Sequence, residues 1–297
     1  MASNYNIVWL DKADSTNSEL RRRVSELDNL SVISAIEQTA GRGQRGNSWT
    51  SECGENLTFS ILLKFSDRLP HQIQAYDQFA ISQMNALAIL DFLSSYGIEA
   101  KIKWPNDIYV GHKKICGTLI ENSLSRQWIS WSIIGNGINV NQTSFPANLP
   151  NPTSMALECG KRFDNRRLLE DFMDIFDSYR NMYLHLNGGL SKLRTLYLSQ
   201  MWRLGEEATF VDLTVCQDST SEKPVNIFRP GEATDGKLFR GVATGITDTG
   251  SLIVRDAKGT VREFEFKEIA WVICFRQSLF NSVRLSSKQL LPQGQMT

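Results

Sequence analysis

The chain has 297 residues, enough for one large domain and a smaller one. A hydrophobic content of 41% and a charged content of 22% are typical of a globular protein, and 32 basic residues balance 32 acidic ones. The overall charge therefore does not favour DNA or a membrane surface as a partner, and any basic site must be local.

Other global features point to a reduced, cytoplasmic environment. The five cysteines and three histidines are scattered without metal-ligand spacing, which predicts buried, reduced thiols and no histidine-based metal site. The amino-terminal residues lack the basic and apolar segments of a secretion signal. No uncharged run is long enough to span a bilayer, so we expect neither a membrane anchor nor secretion.

Strand and helix patterns alternate over residues 1–200. Thr16 followed by Glu19 forms a capping-box pattern, which predicts a short helix with Thr16 as its N-cap, running to about Leu27. Residues 56–65 place apolar side chains at every second position and predict a strand with one buried face. Residues 72–96 carry an apolar stripe at helical spacing and predict a long helix. The other predicted elements are strands at 32–37, 98–104, 107–110, 114–121 and 128–134, and helices at 164–186 and 190–201.

The pattern changes after residue 200. Residues 208–272 hold only strand patterns separated by turn signals, which indicates a small β-barrel. The polar stretch 217–236 is interpreted as a long inserted loop, and the chain from about Arg276 as a frayed tail. The barrel strands are predicted near 209–215, 239–246, 251–255 and 260–266, and the predicted divisions of the chain are 1–200, 201–275 and 276–297.

The most informative segment is residues 40–48, which reads Ala-Gly-Arg-Gly-Gln-Arg-Gly-Asn-Ser and follows the apolar, β-branched segment 32–36. Glycines allow a backbone to bring its N–H groups close to a ligand. Arginines supply fixed forks of donors for carboxylates and phosphates. A loop with both properties at the end of a strand favours anion binding, although a solvated glycine-rich turn explains this segment equally well by itself.

A second polar segment is residues 103–107, Lys-Trp-Pro-Asn-Asp, followed closely by Lys113 and Lys114. Pro105 ends the predicted strand, so an amide, a carboxylate and two lysines come together within a short stretch. Taken alone, the asparagine and aspartate are more simply a turn pair, and the lysines a solvated strand edge.

Two further segments complete the set. Residues 135–141, Gly-Asn-Gly-Ile-Asn-Val-Asn, follow a predicted apolar strand and are interpreted either as a glycine turn or as a close-packed floor with amide donors. Residues 15–17, Ser-Thr-Asn, are interpreted as a helix cap, and the free N–H groups of a helix start also favour an anionic or carbonyl ligand.

These four segments, in this order, resemble the biotin–protein ligases. The likeness runs with specific motifs from Ser15 to about Val140 and continues more weakly into the carboxy-terminal strand region. It implies an α/β (α+β) fold in which helices flank a mixed central sheet, similar to class II aminoacyl-tRNA synthetases. It also implies a small SH3-like β-barrel at the carboxy terminus. The form expected is one without an amino-terminal DNA-binding domain.

The resemblance assigns roles to individual side chains. Ser15, Thr16 and Gln38 would contact the ureido ring of biotin, and Lys114 would reach the carboxylate–phosphate junction. The implied catalytic residues are Arg42, Lys114 and Asp107. The implied biotin site comprises Ser15, Thr16, Asn17, Gln38, Gly41, Arg42, Gly43, Gln44, Lys114 and Gly117. The implied ATP and adenylate site comprises Arg42, Gln44, Arg45, Trp49, Lys103, Asn106, Lys114 and Asn139.

One residue departs from the family pattern, because the position of Gln44 is usually a second arginine. A neutral amide there would hold the adenylate less tightly, unless Arg45 supplies part of the missing charge.

The implied activity is that of an ATP-dependent biotin–[acetyl-CoA-carboxylase] ligase. Biotin, ATP and Mg²⁺ are the expected small molecules, and a biotin carboxyl carrier domain is the expected partner. The biotin carboxylate attacks the α-phosphate of ATP to give biotinyl-5′-AMP and pyrophosphate, and a lysine amine of the carrier then attacks the mixed anhydride. Such chemistry needs mainly positioning and cations, which suits Arg42 and Lys114, and a carboxylate such as Asp107 to accept a proton.

Three alternatives stay open at this level. A lipoate–protein ligase uses the same adenylate chemistry, but the glycine–arginine loop followed by Trp49 and the intact segment 103–107 favour biotin. A DNA-binding regulator is disfavoured because the first motif begins almost at the amino terminus. A non-catalytic adaptor is disfavoured by the retained lysine and arginine. Either a monomer or a homodimer is compatible, and strand edges near residues 128–134 could pair between subunits.

Overall fold

The computed structural model of the chain describes residues 4–65, 72–147, 149, 151–184, 188–214 and 236–272. A seven-stranded mixed sheet, its flanking helices and a five-stranded antiparallel sheet confirm the predicted mixed α/β class. The strands of the larger sheet are β1 (Asn6–Ala13), β2 (Ser31–Gln38), β3 (Leu57–Lys64), β4 (Lys101–Lys103), β5 (Asp107–Val110), β6 (Lys113–Ser125) and β7 (Trp128–Ile138). The helices are α1 (Thr16–Arg22), α2 (Phe79–Ser95), α3 (Met155–Cys159), α4 (Asn165–Leu184) and α5 (Gly189–Ser199).

The strands of the larger sheet lie in the order β1-β2-β3-β7-β6-β5-β4. β1 and β2 are parallel, and every other neighbouring pair is antiparallel. The prediction of an exposed strand edge at residues 128–134 is wrong, because β7 is hydrogen-bonded to β3 on one side and to β6 on the other. β1 and β4 are the outer strands instead.

Helix α1 lies over β2, β3 and β7, while α2, α4 and α5 pack together on the opposite face. Phe59 of β3 meets Phe172 of α4 edge-to-face at 5.2 Å on that second face. β3 is buried on both faces, so the prediction of one buried face is wrong: a helix layer covers each side of the central strands.

Two helices, α1 and α2, have boundaries that differ from their sequence predictions. The long helix begins at Phe79, because residues 75–77 form a 3₁₀ turn and Tyr76 is left outside it, 56% exposed. Ser15, not Thr16, is the N-cap of α1, and its side chain makes no capping hydrogen bond. Helix α1 also stops at Arg22, well before Leu27.

The second sheet has the strand order β11-β10-β9-β8-β12 and consists of β8 (Glu207–Asp212), β9 (Lys237–Ile246), β10 (Leu252–Asp256), β11 (Val261–Phe264) and β12 (Ile269–Trp271). Trp104 connects the two sheets by donating its Nε1–H to the carbonyl of Gly250 at 2.8 Å, in the turn between β9 and β10. Four of these strands match the four predicted ones, and closure into a barrel stays a prediction.

Some predictions concern residues beyond this description. Nearly all of the predicted inserted loop, at 217–235, and the tail from Arg276 lie outside the described residues, as do Cys216 and Cys274. Cys116 is buried as predicted, but Cys53 is exposed, so the prediction of a buried thiol is wrong there. Across the described ranges, no helix combines the length and the apolar character that crossing a bilayer requires.

Candidate active site

Glycines of two neighbouring strands form a floor on the α1 face of the larger sheet. Gly117 of β6 is paired with Gly137 of β7, and Gly135 lies between Leu119 and Ser60. The interpretation of residues 135–137 as a segment that follows a strand is wrong, because β7 continues through them to Ile138. Extended backbone without side chains leaves space directly above the sheet.

Two side chains occupy that space. A Cβ at Gly137 would lie 2.3 Å from the ring of Trp49, and a Cβ at Gly135 would lie 2.1 Å from Oδ1 of Asn17. Both distances are far below van der Waals contact, so glycine is required for Trp49 and Asn17 to reach the floor. The structure therefore supports the close-packed floor but not the predicted amide donors, because Asn136 donates its amide to Asn85 at 3.1 Å and Asn139 donates to the carbonyl of Thr153.

The glycine–arginine loop folds back on itself at the end of β2. Trp49 donates its backbone N–H to Gly41 at 2.9 Å, Gly43 donates to Asn47 at 2.7 Å, and residues 44–46 form a 3₁₀ turn. A Cβ at Gly41 would lie 2.3 Å from the carbonyl oxygen of Trp49, so the loop can close only with glycine there. The closed loop brings Trp49 over the floor.

Lys114 and Asp107 form the cationic end of the site. Lys114 Nζ lies 2.6 Å from Asp107 Oδ1 and 5.8 Å from the ring centroid of Trp49. Nε1 of Trp49 is buried and has no hydrogen-bond partner among the described groups, although a buried indole N–H usually finds one. Trp49 therefore presents an unused donor beside the lysine.

Asn106 and Lys103, the other predicted adenylate residues of the segment 103–107, make different contacts. Asn106 is buried and donates its side-chain amide to the carbonyl of Thr118. Nζ of Lys103 lies over the ring of Tyr109 at 5.1 Å, and Lys103 is paired with Asp107 between β4 and β5. Burial lowers the pKa of Lys103, and the charge of Asp107 opposes that shift. Lys103 therefore lies beside Asp107, and its role toward the adenylate stays a prediction.

Asn139 follows β7 directly and is buried. Its side-chain amide donates to the carbonyl of Thr153 at 2.9 Å, which anchors the segment before α3. A role toward the nucleotide stays a prediction for Asn139, as it does for Gln44 in the 3₁₀ turn.

A polar cluster forms the other end of the site. Gln38 accepts the backbone N–H of Thr16 at 2.8 Å. Ser60 lies 2.7 Å from the Thr16 hydroxyl and donates to Oδ1 of Asn17 at 2.6 Å. Ser15, Thr16 and Asn17 are all buried, so these groups are fixed, as a pocket for a polar ring requires.

Glu121 is a site residue that the sequence patterns did not indicate. Its carboxylate accepts from Asn17 Nδ2 at 3.0 Å, Arg21 Nη2 at 2.8 Å and Arg42 Nη2 at 3.1 Å. Glu121 has the same strand parity as Gly117, so a charge on that face of an apolar strand was the available signal. The sequence patterns did not indicate Ser60 either, because its contacts depend on pairing between strands that are distant in the sequence.

The comparisons with known proteins agree with this geometry. Residues 9–139 match the model of the biotin/lipoate A/B protein ligase family. The chain is similar to this family over that segment. The match contains the polar cluster, the glycine–arginine loop, the Lys114–Asp107 pair and the glycine floor, so the family resemblance inferred from the sequence is confirmed.

Individual relatives carry biotin-specific names. The chain is 29% identical over 259 residues to a biotin--[acetyl-CoA-carboxylase] ligase of Paracoccus denitrificans, which covers 84% of this chain and 94% of the relative. It is 28% identical over 233 residues to the bifunctional ligase/repressor BirA of Bacillus spizizenii, which covers 77% of this chain. The chain thus spans only 62% of that longer relative.

Solved structures show the same fold. The biotin protein ligase of Aquifex aeolicus in complex with biotin and ATP has a TM-score of 0.65 and 24% identity, covering 90% of this chain and 98% of that one. The Leishmania major enzyme in complex with biotinyl-5-AMP has a TM-score of 0.53 and 23% identity, covering 88% and 98%. The predicted fold, a mixed sheet followed by a small β domain, is confirmed.

Proposed function

We propose that this protein is an ATP-dependent biotin–protein ligase. It would form biotinyl-5′-AMP and transfer biotin to a lysine of a biotin carboxyl carrier domain. The observation that carries the proposal is the arrangement on one sheet face: a buried polar cluster around Thr16 and Gln38 at one end, and the Lys114–Asp107 pair at the other. The names of the relatives support biotin as the acid.

The charges of the site suit adenylation. Negative charge accumulates on the α-phosphate as the biotin carboxylate attacks and pyrophosphate leaves, so fixed cations stabilise the transition state. Lys114 provides one cation and Arg42, which is 47% exposed at its side chain, provides another. Asp107 lies 2.6 Å from Nζ of Lys114, and this ion pair restricts the orientation of the lysine side chain.

The same pair serves the second half-reaction. A lysine amine of the carrier must be neutral to attack the mixed anhydride. When Lys114 turns toward the adenylate phosphate, Asp107 loses its partner and can accept a proton from the incoming amine. Asp107 is partly exposed, with 22% of its side chain accessible, so an approaching protein side chain can reach it.

ATP is expected to enter as its magnesium complex. In the described part of the chain, no three His, Cys, Asp or Glu side chains converge as a metal cage would require. Mg²⁺ on a nucleotide usually takes its oxygens from the phosphates, water and one or two protein groups, so a cage is not needed. Asp107 and Asn139 have the oxygen chemistry to supply such a group.

We propose further that residues 1–200 form the catalytic domain and 201–275 a small β-barrel domain. A cytoplasmic location, a monomer or homodimer, and the absence of DNA binding belong to the same proposal. The balanced charge of 32 basic and 32 acidic residues supports the last point.

The test measures the exchange of labelled pyrophosphate into ATP in the presence of biotin and, separately, of lipoate. Exchange with biotin alone, together with mass-detected biotinylation of a carrier domain, is the expected result. Exchange with lipoate alone would replace the proposal by the lipoate ligase alternative. Biotin binding without exchange would support a non-catalytic adaptor.

A further inference from the structure

The carboxylate of Glu121 lies where two parts of the site meet. Only 13% of its side chain is exposed, yet it accepts three side-chain hydrogen bonds from outside its own strand. Oε1 faces Arg21 and Arg42, and Oε2 faces Asn17. A mostly buried carboxylate is costly unless it is fully paired, so these contacts account for its stability there.

The backbone of Glu121 is held within the sheet, whereas Arg42 lies in a loop. Glu121 lies within β6 and is paired with Ile133 of the central strand β7. Arg42 belongs to a loop, and 47% of its side chain is exposed. A long exposed side chain samples many rotamers unless a fixed partner selects one of them. Glu121 is the fixed partner that the described residues offer to Arg42.

The contact leaves Arg42 able to bind an anion. A guanidinium group has five N–H donors in a planar fork, and Glu121 contacts Nη2 at 3.1 Å. Within the described part of the chain, Nε and Nη1 of Arg42 make no hydrogen bond, so a phosphate or carboxylate can approach them while Glu121 stays in place. The pair therefore orients the arginine rather than neutralising its function.

The second carboxylate oxygen of Glu121 connects Arg42 to the polar cluster. Oε2 accepts from Asn17, whose own Oδ1 accepts from Ser60. Ser60 in turn contacts Thr16, which is bonded to Gln38. One continuous chain of side chains thus runs from the loop arginine to the end of the site assigned to the biotin ring.

We infer that Glu121 is a positioning residue that sets Arg42 and Asn17 in register, so that the acid and the phosphate are aligned for adenylation. The inference rests on the proposed function. Misplacing a reacting group by about 1 Å costs on the order of 100-fold in rate, so loss of this register has a measurable effect.

The test is the variant Glu121→Gln, which keeps the shape of the side chain and removes its charge. We expect biotin-dependent pyrophosphate exchange to fall about 10- to 100-fold in kcat, with a raised KM for biotin. Arg21→Gln is the matched control. It removes the arginine that donates to Oε1 of Glu121 and leaves the contacts of Glu121 with Arg42 and Asn17 intact. We expect its rate to stay within about twofold of the parent.

A double-variant cycle separates positioning from general stability. If Glu121 acts on kcat through Arg42, adding Glu121→Gln to Arg42→Gln lowers kcat no further than Arg42→Gln alone, whereas the raised KM for biotin, to which the Asn17 contact contributes, persists. Losses that multiply would overturn the inference, as would an unchanged kcat in Glu121→Gln. Should that variant not fold, Glu121→Asp keeps the charge, withdraws it by one methylene and enters the same cycle with the same criteria.

Two kinds of failure are distinguishable. A parent protein without biotin-dependent exchange overturns the proposed function and this inference with it. An active parent with an unaffected Glu121→Gln variant overturns this inference alone.

Discussion

Gly137 and Trp49 approach so closely that no side chain fits between them. A Cβ on Gly137 would lie 2.3 Å from the indole ring, which itself lies 5.8 Å from Nζ of Lys114. The strand backbone, the tryptophan and the lysine thus form three layers. The absence of a side chain at Gly137 determines how deep the aromatic ring lies in the site.

We expect Gly137→Ala to displace Trp49 and to impair adenylate formation, with a raised KM for ATP. Inserting a methyl group into such a contact typically costs about 1–3 kcal/mol of stability. Gly245→Ala in β9 is the matched control, because the nearest heavy atom to its Cβ is 4.0 Å away. Urea unfolding and pyrophosphate exchange measure the two effects, and equal behaviour of the two variants would contradict this account of the floor.

Arg42→Ala and Lys114→Ala should each reduce the rate of pyrophosphate exchange about 100- to 1000-fold, since each removes a preorganised cation. Lys113→Ala provides the control at the adjacent position, because Lys113 pairs with Glu158 at 2.6 Å instead of facing Asp107. Its rate should stay within about twofold of the parent. A wild-type rate in either test variant would remove that residue from the catalytic set.

Gln44→Arg should slow the release of biotinyl-5′-AMP. The family resemblance places an arginine at this position, and a charge-assisted hydrogen bond to phosphate is roughly twice as strong as a neutral one. The measurement is the release of labelled adenylate from a preformed complex during a chase with excess biotin. An unchanged release rate would mean that the existing cations, Arg45 among them, already satisfy the phosphate.

Biotin and ATP together should protect the glycine–arginine loop from trypsin. The loop offers cleavage sites at Arg42 and Arg45, and lids of this kind close over reactive intermediates to exclude water. Mass spectrometry of timed digests gives the cleavage rate at each site. Lys258, exposed in the turn after β10, should be cut at the same rate with and without ligands. Equal rates at Arg42 under both conditions would contradict the prediction.

Thiol labelling should separate the cysteines of the described residues. Burial raises the pKa of Cys116 to about 12, so its thiol stays protonated and unreactive in the folded chain near pH 8. Cys53 is exposed and should react first with iodoacetamide. Peptide mapping after brief labelling gives the order, and urea should remove the difference. Early modification of Cys116 would show that β6 opens readily.

Local patterns were sufficient for much of the molecule. Turn residues, caps and strand periodicity predicted the helix at residues 164–186 and the hairpin of β5 and β6 to within a few residues. The loop at 40–48 and the segment at 103–107 were identified because each places its chemistry within a few consecutive residues. The departure at Gln44 is equally a property of the sequence alone.

The tertiary structure decided what depends on pairing between distant strands. Gly135 and Gly137 resemble turn residues in the sequence, and only the pairing of β7 with β3 and β6 makes them a floor inside the sheet. Glu121 is an isolated charge in the sequence, and 79 residues separate it from Arg42. The sequence by itself indicated the family resemblance and most of the residues proposed for the site. Their alignment required the fold, because strand register fixes which side chains share a face.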